Sequence, residues 1–185
     1  VARLRTSLYP SLATIANRWA EQLGSDARFP ADHQSYLDQC HAAGQAKATP
    51  LILRYGEGDW NALHQDIYGD CVFPLQLAIL LSEPGTDFTG GEFVLSEQRP
   101  RMQSRPEVVQ LAQGDGVVFA TRERPAPSKR GYRRVQMRHG VSRIRSGNRW
   151  TLGIIFPDAG CGWVGVTEVR PDSKGFSCSL TYCIA

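Results

Sequence analysis

The feature that most constrains the fold is a change of rhythm near Thr49. Before it, Leu8, Leu12, Ile15, Ala16 and Trp19 recur at spacings of three and four, the signature of one apolar helix face. Pro10 falls near the expected start of that helix, and a second helix is expected over residues 31–43, with Asp32 near its start and Gly44 at its end. After Thr49 the period drops to that of strands. The expected strands are residues 50–55, 62–68, 74–81, 92–95, 108–111, 116–120, 133–141 and 150–156. Turn-forming clusters separate them, among them Glu83-Pro84-Gly85, Gly90-Gly91, Gly114-Asp115 and Ser146-Gly147-Asn148. Short strands so punctuated predict a mainly β protein, a double-stranded β-helix (jelly roll) with N-terminal buttressing helices. Residues 1–48 would form the helical support, 49–159 the β core, and 160–185 a tail of a different character, rich in Gly, Ser and Cys and without clear period.

A jelly roll has a mouth between its sheets where ligands converge, and the sequence offers ligands for it. His64 and Asp66 are two apart on an expected strand, so their side chains share a face. With His139 on a later strand they make a 2-His-1-carboxylate set, which holds Fe(II) on one side and leaves positions open for O₂ and a cosubstrate. His33 and His41 lie in the helical part, without acidic partners at strand spacing. Arg149, ten residues beyond His139 and opening the last strand, can grip a carboxylate through two parallel hydrogen bonds. Thr151 on the same strand face and Tyr55 before the His64 loop can add hydroxyl contacts.

From Leu53 to about Asp158 the chain resembles the 2-oxoglutarate and Fe(II) dependent dioxygenases of the prolyl-4-hydroxylase-like superfamily. The segments that carry the likeness are Arg54-Tyr55-Gly56, His64-Gln65-Asp66, Gly90-Gly91-Glu92-Phe93, Gly114-Asp115-Gly116-Val117-Val118-Phe119, His139-Gly140-Val141 and Arg149. More narrowly, residues 89–95 running on to 99–105 look like a bacterial subfamily classed as oxygenases of damaged nucleic acid, whose members are also labelled proline hydroxylases. The resemblance implies Fe(II), 2-oxoglutarate and O₂, with ascorbate as an optional reductant. It also implies hydroxylation of a C–H bond with release of succinate and CO₂, as in oxidative demethylation of alkylated bases. The alkylated-base repair enzymes carry a second arginine six residues after the cosubstrate arginine; here that position is Ile155.

Charge bears on the substrate. Between Arg99 and Arg149 stand thirteen basic residues against three acidic, while the rest of the chain is net acidic, although the whole carries only +3. Such asymmetry points to an anionic partner, nucleic acid first, with a solvated arginine-rich surface as the plainer alternative. Arg99, Arg101 and Arg105 are the expected phosphate contacts, and Trp60 and Tyr132 the aromatics that can stack on a base. Two other readings stand beside this one: a hydroxylase of peptidyl or free proline, and a metal-binding jelly-roll module without turnover. The five cysteines, odd in number and without CxxC spacing, suggest reduced thiols and a cytoplasmic setting. No run of about 18 apolar residues suggests a membrane partner.

Overall fold

The computed structural model describes residues 1–99 and 101–160, together with the backbone of 176–177 and 179–183. Two helices, α1 (Ala2–Gln22) and α2 (His33–Ala42), come first. The strands that follow are β1 (Gln45–Lys47), β2 (Leu51–Tyr55), β3 (Trp60–His64), β4 (Leu75–Leu80) and β5 (Phe88–Gly90). Next come β6 (Phe93–Gln98), β7 (Arg105–Val109), β8 (Gly116–Ala120), β9 (Glu123–Ser128) and β10 (Gly131–Val141). Last are β11 (Ile144–Gly147), β12 (Arg149–Ile154), β13 (Ala159–Gly160), β14 (Phe176–Ser177) and β15 (Ser179–Cys183).

They assemble as two facing antiparallel sheets, ordered β15-β2-β12-β4-β8 and β14-β3-β10-β6-β7, with β9 added to β10. Two small ribbons, β1-β13 and β5-β11, complete the set among the described residues. This is the jelly roll expected from the strand rhythm. Within the expected tail, β14 and β15 pair at the backbone with β3 and β2; the remainder of the tail lies outside the described residues. No helix among the described residues is long and apolar enough to cross a membrane.

Alternation explains how one sheet serves two masters. On β4, Leu75 and Leu77 join the cluster under the helices, with Tyr9, Leu12, Tyr36, Phe73 and Phe156. Ala78 and Leu80 join the cluster between the sheets, with Tyr55, Phe93, Phe119 and Val141. Burying aromatics of this size stabilises by roughly 2–3 kcal/mol each, so the helices are firmly seated on the outer face of the sheet that carries the arginine.

One expectation about the helices needs correction. Helix α1 begins at Ala2, so Pro10 stands in its interior. The early start is fixed by Arg5, whose buried guanidinium donates to Asp158 Oδ1 at 2.9 Å and to the Phe156 carbonyl at 2.5 Å. That anchor offsets the hydrogen bond lost at the proline. His41 has no acidic partner at strand spacing but finds one far along the chain: its Nε2 lies 2.8 Å from Asp158 Oδ2, across 117 residues. Helix α2 is capped by Asp32, whose carboxylate accepts from the Ser35 amide at 2.8 Å.

Candidate metal centre

His64 ends β3 and faces His139 on β10, the two residues being direct register partners. The strands come unusually close here because Gly140 has no side chain: a Cβ there would sit 2.6 Å from the Asn61 carbonyl oxygen. Asp66 is not on the strand, contrary to the expectation of a shared strand face. The chain leaves β3 after His64, and Asp66 reaches the site from the following loop. Gln65 makes that exit possible. Its amide donates to the Met137 carbonyl at 2.8 Å and to the Arg122 carbonyl at 3.0 Å, pinning the loop to β10.

The three side chains converge. His64 Nε2 lies 3.4 Å from Asp66 Oδ1, and His139 Nε2 lies 3.2 Å from Asp66 Oδ2. One ligand atom from each falls within 4.8 Å of the others, so the three could hold one metal ion. The tautomer of His64 is set by its other nitrogen, Nδ1, which is 2.7 Å from the Ala62 carbonyl and must donate to it. In the neutral ring the Nε2 lone pair therefore points at Asp66, the orientation an outer hydrogen bond gives to a metal-binding imidazole. Two imidazole nitrogens and a carboxylate converging on one point suit a cation placed among them. Burial alone would raise the Asp66 carboxyl, but the hydrogen bonds and charge of His139 and His64 outweigh it and hold that carboxyl well below the usual range. His64 is drawn above its ordinary value, Asp66 overcoming the opposing effect of burial. His139, deeper and wedged 4.7 Å from the Phe119 ring, is pushed down by burial. The residues fit a divalent metal: the donor set is that of non-heme Fe(II) oxygenases.

Arg149 closes the other end of the same cavity, whose volume is about 390 Å³ and whose walls include the three metal-site residues, Tyr55, Thr151 and Ile155. Its guanidinium is almost fully buried, bonds to Thr151 Oγ1, and lies 5.6 Å over the Tyr55 ring and 5.9 Å over that of Phe88. Arg149 and Tyr55 are register partners on β12 and β2, and Thr151 follows on the same face. Gly91, at φ +64°, leaves room for the arginine stem, since a Cβ there would sit 2.9 Å from Arg149 Cδ.

Sequence reasoning missed four residues of this site. Gln65 is one. Tyr68 is another, its hydroxyl donating to Asp66 Oδ1 at 2.5 Å; its signal was a spacing of two beyond the aspartate. Asn61 and Gln76 also line the cavity, and the buried Asn61 Oδ1 and Gln76 Nε2 have no hydrogen-bond partner among the described residues. Gln76 was legible as the one polar residue in an otherwise apolar strand. The expected substrate residues are placed apart from the cavity walls. Arg99 bonds to Glu97 beside Arg124, Arg105 opens β7, Arg101 sits on the β6–β7 connection at φ 60°, Trp60 is half-buried at the head of β3, and Tyr132 is 47% exposed on the β9–β10 hairpin.

Residues 1–159 match the model of the Oxygenase-NA family, oxygenases catalysing oxidative methylation of damaged DNA. The chain belongs to this oxygenase family. An uncharacterized protein of Mycobacterium tuberculosis, in strains CDC 1551 / Oshkosh and ATCC 25618 / H37Rv, is 55% identical over 159 residues, which is 86% of this chain and 68% of the relative. A crystal structure of a 2OG-Fe(II) oxygenase family oxidoreductase from Burkholderia pseudomallei aligns with 22% identity and a TM-score of 0.39, covering 57% of this chain and 44% of that one. As a member of this family it is an oxidoreductase, its fold is a jelly roll, and its cavity presents a two-histidine, one-carboxylate donor set that could hold a metal ion.

Proposed function

We propose that the chain is a 2-oxoglutarate and Fe(II) dependent dioxygenase that hydroxylates a C–H bond on damaged nucleic acid, an N-methyl carbon of an alkylated base being the substrate class. The observation that carries this reading is the meeting of His64, Asp66, His139 and Arg149 in one cavity. The first three would hold the metal. Arg149, with Thr151 and Tyr55, would take the far carboxylate of 2-oxoglutarate, offsetting the cost of a guanidinium enclosed by aromatic rings. When bound, iron and 2-oxoglutarate supply O₂ activation, one oxygen atom entering succinate as CO₂ leaves and the other becoming the substrate hydroxyl. A hydroxylated N-methyl group then breaks its C–N bond, giving formaldehyde and a nitrogen that regains its proton. The largely apolar walls, Phe93, Phe119, Leu53 and Val141 among them, exclude water from the site. Support for nucleic acid comes from the family's description and from the basic segment 99–149.

One observation favours a second reading. Ile155, at the sequence position where alkylated-base repair enzymes carry a second arginine, lines the cavity. An apolar side chain there suits a peptidyl or free proline ring as well as a base. The deciding experiment is succinate formation from 2-oxoglutarate under O₂ with added Fe(II), run with methylated single-stranded DNA and with a proline-rich peptide. Stimulation by the methylated DNA with formaldehyde release is the expected result. Stimulation by the peptide alone sinks the nucleic-acid reading and leaves the oxygenase class intact.

A further inference from the structure

The register of the first sheet orders the cavity wall into rows. Arg149, Thr151, Gly153 and Ile155 alternate inward along β12 and just past it, and all four line the cavity. Arg149 stands opposite Tyr55, Thr151 opposite Leu53 and Leu80, and Gly153 opposite Leu51 and Ala78. Ile154 is the partner of Leu77, so Ile155 comes beside Gln76, which also lines the cavity. At about 3.3 Å per residue, this last row lies about 20 Å along the strand from Arg149. A five-carbon dicarboxylate gripped at Arg149 covers only part of that length.

Gln76 is 3% exposed, and its Nε2 has no hydrogen-bond partner among the described residues. A buried amide N–H left in that state is costly, and a bound acceptor removes the cost. The neighbouring polar groups of the cavity are occupied. Gln65 and Tyr68 hold the Asp66 loop, and the Asn61 amide donates to the Tyr55 hydroxyl at 3.4 Å, at the end where Arg149 sits. Gln76 stands elsewhere. Its register partner is Phe119, whose ring lies 4.7 Å from that of His139 and meets Phe93 edge-on at 5.0 Å. One donor is thus set into an apolar wall beside a metal-site histidine, and Ile155 next to it brings neither charge nor hydrogen bond.

We propose that Gln76 reads the substrate, its Nε2 donating to a carbonyl oxygen next to the methylated ring nitrogen of the target base. The inference rests on the nucleic-acid reading above and narrows the substrate. In 3-methylcytosine and 3-methylthymine the methylated nitrogen adjoins the C2 carbonyl, which accepts the bond. In 1-methyladenine it lies between a C–H and the carbon that bears the exocyclic nitrogen. No carbonyl is offered there, and the amide stays unsatisfied when that base enters. A site built around a buried hydrogen-bonding group rejects analogues that lack the partner more strongly than an apolar pocket can. The two methylated pyrimidines are therefore the favoured substrates, and 1-methyladenine the disfavoured one.

The test compares formaldehyde release from two single-stranded oligodeoxynucleotides, identical but for one base, 3-methylcytosine or 1-methyladenine, with Fe(II), 2-oxoglutarate and O₂ present. The wild type should show the higher kcat/KM on 3-methylcytosine. Gln76→Met keeps the length of the side chain and removes the donor. It should cut that preference by roughly 30-fold, about 2 kcal/mol. Gln76→Leu should do the same. Both bases meet the same enzyme, so loss of folded protein cancels from the ratio, and a merely structural role for Gln76 would not move it. A preference that survives both substitutions overturns the inference, as does a wild type that favours 1-methyladenine. A KM for 2-oxoglutarate that rises in Gln76→Met while the preference stands assigns the amide to the cosubstrate, and overturns it too. A wild type that forms succinate with the proline-rich peptide and with neither oligonucleotide overturns the nucleic-acid reading itself.

Discussion

Two clusters of histidine and aspartate lie on either side of the same sheet, and they differ in one respect. Between the sheets, Asp66 faces His64 and His139, and among the described residues no arginine or lysine pairs with it. Under the helices, Asp158 faces His41 and the guanidinium of Arg5 at 2.9 Å, and Thr49 and the Phe156 carbonyl complete the arginine's surroundings. Each site buries a carboxylate, and a buried anion needs a cation. Asp158 has one built into the chain. Asp66 has the Nε2 atoms of two imidazoles and the Tyr68 hydroxyl turned toward it, and a metal ion among them would supply the fixed charge. The same residue types thus serve architecture in one place and, on the proposed function, would bind a metal in the other, the resident arginine making the difference.

Exchanging the roles should fail in opposite ways. The largest effect is expected from Asp66→Ala. In the wild type a saturating metal should raise the melting temperature, since ligand at about a thousand times its Kd stabilises by roughly 4 kcal/mol. Mn(II) without O₂ is a suitable probe. In Asp66→Ala that increment and the turnover of 2-oxoglutarate should both vanish; a variant that keeps the increment would show that the carboxylate is not a ligand. Arg5→Ala is expected to cost about 3–5 kcal/mol of folding stability by stranding Asp158, with metal affinity unchanged. Equilibrium unfolding in urea, with metal titration of the folded fraction, separates the two. A loss of metal affinity in Arg5→Ala would dissolve the contrast.

The sequence carried this contrast only in part. The jelly roll was legible because strand alternation is local, and the spacing on β12 placed Arg149 and Thr151 on one face. Strand β9 escaped notice because Pro125 and Pro127 argue against a strand; it tolerates them because among the described residues it pairs with β10 alone, at an edge. That His64 and His139 meet was legible, while the placement of Asp66 on the strand was wrong, since Gln65 turns the chain through bonds to residues 57 and 72 positions away. The Arg5–Asp158–His41 cluster was invisible for the same reason. Its partners are separated by 153 and 117 residues, and no spacing rule reaches so far.

Within the cavity, the contrast sharpens at smaller scale. Arg149→Lys keeps the charge and loses the planar fork, so the KM for 2-oxoglutarate should rise by roughly 30-fold, about 2 kcal/mol, with metal affinity intact. Equal KM values for arginine and lysine would mean that the guanidinium does not bind the cosubstrate. Tyr68→Phe removes the donor to Asp66 Oδ1 without touching a ligand. Metal affinity should fall about tenfold, the low end for an outer hydrogen bond, and isothermal titration with Mn(II) reads it directly. An unchanged affinity would make Tyr68 a packing residue.

The smallest effect tests the helical side. His33 is buried, with Nε2 2.9 Å from the Phe156 carbonyl. Burial pushes its imidazole below the ordinary value, and the nearby Arg5 adds to the shift, over the opposing pull of the Phe156 bond and Asp158. A histidine depressed in the folded state is protonated more readily when unfolded, so the unfolded chain binds more protons and stability rises with pH. The contribution is complete above the unfolded value of about 6.5 and is lost as pH falls below it. Melting temperatures measured from about pH 7.5 down to pH 5.5 should therefore decline more steeply in the wild type than in His33→Gln. Parallel curves would mean that His33 accepts its proton without cost, and that the cation held by Asp158 does not exclude a second one beside it.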